Sequence, residues 1–217
     1  MPATAPSLAV FAAPGRYVQG RGAIETLASE LERLNASKPL VLLDPAVRDV
    51  VGEAVDAVPG AVVLDFAGEC SPGEIDRVAA HASEHSADAV VAVGGGKAMD
   101  TAKAVAHPAE LPLVIVPTIA STDAPTSAVS VVYDDDGAFL EYRFWARNPH
   151  CVLVDTQVIA GARVVEDASA SKKVESPSPM PATRKRTGAP AITCVSTRTQ
   201  CGLRAQKRYS RKAPSSS

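Results

Sequence analysis

Four short runs along the chain, Pro39–Leu43 (PLVLL), Ala61–Phe66 (AVVLDF), Ala89–Val93 (AVVAV) and Leu113–Val116 (LVIV), are apolar with almost no polar interruption. A strand with one wet face alternates apolar and polar residues, so runs like these suit strands covered on both faces, as in parallel sheets. Between them the spacing becomes helical. Ile24, Leu27, Leu31 and Leu34 recur three and four apart within a helix predicted over Gly22–Leu34, and Pro45–Val58 reads as a second. Ser71, Pro72 and Glu74 form the cap, first-turn proline and capping-box glutamate of a third, running to about His85. A fourth runs from about Lys97 to Ala106. Strands alternating with helices are βα units, and the pattern specifies an α/β fold: Rossmann-like, doubly wound, with a mostly parallel sheet. Further on, Val129–Tyr133 and Phe139–Phe144 flank Asp134-Asp135-Asp136-Gly137 as a hairpin, and Val152–Val154 is a last short strand.

Beyond Ala162 the periodicity stops, and so does the acidic character. Residues 1–162 hold 10 Lys and Arg against 21 Asp and Glu, whereas 163–217 hold 12 against 3. The second segment is rich in Ser, Pro and Arg and has too little apolar surface to offset its chain entropy. It is expected to be a disordered basic tail, and the change of sign marks the boundary. As a nucleic-acid-binding arm it would need a fold motif that the sequence lacks, so no nucleic-acid partner is expected. No run approaches the roughly 20 apolar residues of a membrane span, and the N-terminus has no basic region ahead of an apolar one. The four cysteines, Cys70, Cys151, Cys194 and Cys201, form no paired motif. Cys70 and Cys151 are expected to be packing residues, and the setting reducing and cytoplasmic.

The strand AVVAV runs directly into Gly94-Gly95-Gly96-Lys97 at the start of a helix. Glycines let a backbone approach a ligand closely, and the free N–H groups of a helix start attract a phosphate. Two familiar templates fail: Val91 and Ala98 stand where a Walker loop needs glycine and a hydroxyl residue, and Met99 where the dinucleotide fingerprint needs glycine or alanine. The loop therefore points to phosphate without naming the ligand, and a ligand-free tight turn is the competing reading. Asp100 and Lys103, three apart, read as an ordinary helix-surface pair. Asp44, at the end of PLVLL, is either an acceptor for a ribose hydroxyl or the cap of the helix that opens at Pro45. Thr118 to Ser127 gathers hydroxyls and the Asp123 carboxylate after a buried strand, where α/β proteins bind ligands, although such turns also serve only to satisfy the backbone.

Together PGRYVQG (14–20), VGGGKAMDTAKAVA (93–106), VPTIASTDAPTSAVSVVY (116–133) and NPHCVLVDT (148–156) resemble, in order and spacing, the glycerol dehydrogenases of the group III metal-dependent alcohol dehydrogenases. The resemblance covers about residues 10–162. It implies an N-terminal domain like that of dehydroquinate synthase, with NAD as cofactor and a homo-oligomer as in the family. It implies that Gly95, Gly96 and Lys97 cradle the NAD pyrophosphate, with Ala98, Met99 and Asp100 continuing the contact and Asp44 at the adenosine end. Thr118 and Ser121 would bind cofactor, Ser127, Val129 and Tyr133 would lie nearer the nicotinamide, and Asp123 would hydrogen-bond a small polyol such as glycerol. In the family a zinc ion held by an aspartate and two histidines of a second, helical domain activates the substrate hydroxyl.

The sequence departs from that pattern after residue 162. Asp167 faintly echoes the metal-binding aspartate, while the only histidines are His81, His85, His107 and His150. His81 and His85 have a helical spacing that can hold zinc, but they fall on a charged face away from the expected site. The expectation is thus a dinucleotide-binding domain, 1–162, with a tail in place of the metal-binding domain, as in a truncated or frame-shifted product. Two functions follow: a polyol dehydrogenase, or a dinucleotide-binding fragment without turnover. The fragment should expose apolar surface that a second domain would cover.

Overall fold

The structure, a computed structural model, describes residues 11–120 and 123–162. The expected tail, 163–217, lies outside the described residues. Six strands form one parallel sheet: β1 (Arg16–Gly20), β2 (Pro39–Leu43), β3 (Val62–Asp65), β4 (Ala89–Gly94), β5 (Leu113–Pro117) and β8 (Cys151–Asp155), in the spatial order β1-β8-β5-β4-β2-β3. The helices are α1 (Leu27–Arg33), α2 (Arg48–Asp56), α3 (Pro72–Glu84), α4 (Gly96–Ala106) and α5 (Thr156–Gly161). The antiparallel pair β6 (Val129–Tyr133) and β7 (Phe139–Phe144) is the expected hairpin.

The unbroken apolar runs have the expected cause. On one face Leu40, Leu42, Val90, Ala92 and Ile115 pack with Ile75 and Val78 of α3 and with Met99 and Ala102 of α4. On the other, Val41, Leu43, Val91, Val93 and Val114 pack with Leu27 and Leu31 of α1 and with Val51 and Val55 of α2. Successive residues of β2 and β4 thus serve opposite cores, so no position on those strands can be polar. Cys70 and Cys151 are both buried free thiols in these cores, and burial pushes each up to about 11.

Local chemistry moves several boundaries. The helix predicted from Gly22 begins instead as a 3-10 turn, Ala23–Thr26, entered through Gly22 at a φ of 72°; the Thr26 hydroxyl donates to the Ala23 carbonyl at 2.7 Å. Likewise Pro45–Val47 is a 3-10 turn ahead of α2. Ser71 caps α3, its Oγ accepting from the Glu74 N–H at 3.4 Å. The Glu74 carboxylate goes elsewhere, to the Ala67 N–H at 3.0 Å and to Arg77 at 2.7 Å, so it ties the β3–α3 loop rather than closing the capping box. Strand β1 was not marked by its pattern: it lies at the sheet edge, paired with β8 alone, and carries Arg16 and Gln19. The six residues of α5 are too few to show a period, and the helix is held by Asp155, whose Oδ1 accepts from the Gln157 N–H at 2.9 Å.

Phe139, Leu140, Tyr142 and Phe144 of β7 are exposed. No helix among the described residues is long and apolar enough to cross a membrane.

His107, at the end of α4, stacks on Trp145 with ring centroids 5.1 Å apart, and its buried Nε2 has no partner among the described groups. Burial, aided by Arg147 and His150, pushes it down to about 4. The unfolded chain would take up a proton at the ordinary histidine value, about 6.5, whereas the folded one resists until about 4. Between those values the unfolded state binds more protons, so stability is lost as the pH falls through that window. Thermal melts followed by circular dichroism should show the midpoint dropping from pH 7 to pH 4.5, with a smaller drop in His107→Phe. Equal drops in both proteins would clear His107 of responsibility.

Candidate functional site

The winding of the sheet reverses between neighbouring strands β2 and β4. The connection leaving β2 through α2 covers one face, and that leaving β4 through α4 covers the other. Connections that part in this way open a crevice at the carboxyl ends of the two strands, where open α/β sheets bind ligands. The floor of the crevice is tight. The Asp44 N–H donates to the Val93 carbonyl at 2.9 Å. A Cβ on Gly94 would stand 2.9 Å from the Asp44 Cβ and 3.1 Å from that of Ala98. Only glycine lets the strand ends and the start of α4 come this close. Gly94 was not singled out in the sequence, where three successive glycines give no sign of which one is sterically bound.

Asp44 is the cap predicted as one of its two roles: Oδ1 accepts from the Ala46 N–H at 3.0 Å. The other oxygen remains at the crevice, beside Gly94. Across from it α4 starts at Gly96, with Gly95 extended at the N-cap and no side chain capping the end. The Met99 N–H already donates to the Gly95 carbonyl at 3.1 Å. The N–H groups of Gly96, Lys97 and Ala98, in the first turn, have no acceptor within the helix and lie at its positive end. The side chains of Ala98 and Met99 are buried, so these two positions can offer a ligand only backbone. The Lys97 ammonium lies at the flank of the loop, 2.5 Å from Glu69 and 5.3 Å from the centre of the Tyr133 ring.

Asp100 and Lys103 correct the surface-pair reading. Lys103 is wholly buried and Asp100 nearly so, and their charged atoms are 3.1 Å apart. The reason is that α4 is packed on all sides, between the sheet and the β6–β7 pair. Asp100 Oδ2 accepts from the Val131 N–H at 3.0 Å, and the Asp100 carbonyl accepts from the Ser130 hydroxyl at 2.8 Å. Lys103 donates also to the Val129 carbonyl at 2.8 Å and to Ser127 Oγ at 3.4 Å. Burial pushes the Asp100 carboxyl up and the Lys103 ammonium down from their ordinary values. The Asp100 side chain is thus committed within the fold. The signal for this was present in AMDTAKAVA, where two opposite charges interrupt an otherwise small and apolar helix.

Thr118, buried at the end of β5, donates its N–H to the Gly94 carbonyl at 3.1 Å. Ile119 lies over Gly95, 3.4 Å from where its Cβ would be. The exposed Asp123 turns the chain by accepting at its carbonyl from the N–H groups of Thr126 and Ser127, at 3.0 and 2.8 Å. Beside this turn a cavity of about 190 Å³ is lined by Tyr17, Pro117, Ile119, Pro125, Val154 and Ile159. Ser121 and Asp167 lie outside the described residues.

A metal finds no donor set here. Among the described residues no three His, Cys, Asp or Glu side chains gather closely enough to hold an ion. His81 and His85 each turn Nδ1 to a carbonyl of their own helix, at 3.1 and 2.9 Å. All four histidines sit at or near the ends of helices and strands on the amino edge of the sheet, opposite the glycine loop.

Residues 14–156 match the family model of the iron-containing alcohol dehydrogenases. The glycerol dehydrogenase of Thermotoga maritima is 49% identical over 152 residues, which cover 69% of this chain and 42% of that protein. The glycolaldehyde reductase of Halobacterium salinarum is 41% identical over 158 residues, covering 70% of this chain and 43% of that protein. A crystal structure of a probable glycerol dehydrogenase from Sinorhizobium meliloti superposes with a TM-score of 0.66 at 42% identity, over 70% of this chain and 42% of that one. The chain thus spans less than half the length of these relatives.

The steric reading of Gly94 is directly testable. Gly94→Ala should destabilise the fold by about 1–3 kcal/mol, the usual cost of overpacking, read as a lower urea midpoint. An unchanged midpoint would mean that β2 and β4 can part freely.

Proposed function

The chain belongs to the iron-containing alcohol dehydrogenase family, and from that premise we propose that residues 1–162 bind NAD across the β2–β4 crevice, in a protein that oxidises glycerol or a similar small polyol to the ketone. The observation that supports it best is the uncapped start of α4, reached through Gly94–Gly96 at the switch point of the sheet. Gly95, Gly96 and the first-turn N–H groups of Lys97 and Ala98 take the pyrophosphate, with Met99 behind them in the core. Asp44, already the cap of its own turn, offers its second oxygen to the adenosine ribose, so its two expected roles are compatible. Thr118, Ser127, Val129 and Tyr133 serve the cofactor toward the nicotinamide, as the resemblance also implies for Ser121, Asp123 meets the polyol, and Asp100 serves by holding Val131 and Lys103. When bound, NAD supplies the hydride acceptor. The residues of this chain bind it, orient it and present the substrate carbon.

Lys97 fits the same picture through exchange of partners. In the structure its ammonium faces Glu69, and an entering pyrophosphate would compete for it.

A second reading is a dinucleotide-binding unit that does not turn over. It is favoured by the histidines, all four of which sit on the far edge of the sheet. The zinc that the resemblance implies has no donor set among the described residues, so no step is assigned to it.

Calorimetry on the full chain should show NAD uptake. Asp44→Asn keeps the cap and removes the charge, so it should leave the melting temperature unchanged and weaken NAD roughly tenfold, as befits one charge-assisted hydrogen bond. No uptake at millimolar NAD would end the proposal. Glycerol-dependent formation of NADH with zinc added then decides between the readings: turnover establishes the dehydrogenase, and binding without turnover the inactive unit.

A further inference from the structure

A wholly buried lysine is rare unless its charge has a partner, and each of its three N–H donors also needs an acceptor. For Lys103, Asp100 supplies the charge partner at 3.1 Å. The ammonium makes two further bonds, to the Val129 carbonyl at 2.8 Å and to Ser127 Oγ at 3.4 Å. Neither is needed to dock β6, whose next residues are already fastened to Asp100. The Val131 N–H donates to its carboxylate, the Ser130 hydroxyl donates to its carbonyl, and the Trp145 indole N–H reinforces Ser130 at 2.9 Å. What the extra bonds fix is the point where the chain enters β6. From that point hangs the polar turn, since the Ser127 N–H donates to the Asp123 carbonyl at 2.8 Å. The Asp123 charge also acts on Lys103.

The other end of the same helix is the uncapped start at Gly96, two turns away from Lys103. A rigid helix with a phosphate cradle at one end and a tethered turn further along sets the span between the two. We propose that Lys103 is a positioning residue for the nicotinamide half of the dinucleotide: it holds the Asp123–Val129 segment at a fixed distance from the pyrophosphate cradle without touching the ligand. The inference rests on the reading of the crevice as an NAD site. It separates two functions along α4, with the first turn giving affinity for the pyrophosphate and Lys103 giving reach to the rest of the molecule.

Two ligands distinguish a positioning role from a merely structural one. ADP carries the adenosine and the pyrophosphate but no nicotinamide riboside, and NAD carries all three. In Lys103→Met the Asp100 carboxylate is left buried without a counter-charge, which can by itself unfold a protein. The informative variant is therefore Lys103→Met combined with Asp100→Asn. It removes both charges, keeps an acceptor for the Val131 N–H, and still lacks the tether to Ser127 and Val129. Titrations of the full chain, with circular dichroism to follow folding, should show ADP affinity within about twofold of the parent and NAD affinity at least tenfold weaker. If NAD and ADP weaken together in a folded double variant, or if NAD is unaffected, the positioning role is overturned while the NAD reading stands. If the parent chain takes up neither ligand, the NAD reading falls and this inference falls with it.

Discussion

Helix α4 has no solvent face beyond its first turn: every residue from Ala98 to Ala106 is buried. One side lies on the sheet, another on α3, and a third under β6. That single constraint dictates much of the rest. It demands small side chains, hence the alanines. It forces the two charges the helix carries to find each other and to be satisfied by neighbouring backbone, because an isolated buried charge is far too costly to keep. It also holds the first turn rigidly against the ends of β2 and β4, where Gly94 leaves no room for a side chain between them. A helix gripped on all sides keeps the free N–H groups of its first turn fixed, as the proposed binding of a phosphate would require.

Most of this fold was legible in the sequence because a parallel sheet with two covered faces writes itself as unbroken apolar runs. Leu40 to Leu43 and Val90 to Val93 alternate between two cores, and both cores require the same kind of residue. The parts that were not legible depend on neighbours distant along the chain. Strand β1 is defined by pairing with β8, more than 130 residues later, and its own residues are polar enough for a loop. Glu74 looked like half of a capping box and instead serves the Ala67 N–H and Arg77, a choice set by the shape of the β3–α3 loop. Asp100 and Lys103 looked like a surface pair because helical spacing says which residues are adjacent on a helix and nothing about what covers them.

For the site the division is similar. The glycine loop was read as a candidate anion cradle from strand, glycines and helix start alone, with a ligand-free turn as the alternative, and the structure shows the uncapped helix start which that local argument needs. Asp44 kept two readings because the sequence could not say how close β2 comes to β4. In the structure the cap uses Oδ1 and leaves the other oxygen at the crevice, so the cap is established and the ribose role is not excluded by it. Ser127 and Val129 were placed near a ligand by resemblance, and the structure adds their link to Lys103, which no local pattern encodes.

Under the proposed function, the arrangement separates two chemical tasks. Binding a dinucleotide asks for backbone N–H groups, a carboxylate and hydroxyls at one edge of a sheet, and among the described residues the uncapped start of α4, Asp44 and Thr118 lie at the carboxyl edge. Activating an alcohol with a metal asks for a compact set of imidazoles and carboxylates, and among the described residues the imidazoles lie on the opposite edge. A parallel strand has only one carboxyl end, so residues at its amino end cannot reach the crevice however the loops are adjusted. Metal-binding imidazoles at the crevice would therefore have to come from elements other than those carrying the present four histidines. The exposed Ile119, over Gly95, and the exposed Tyr17 of the edge strand β1 both border the cavity. The carboxyl edge is thus the side from which any such donors would have to approach the crevice.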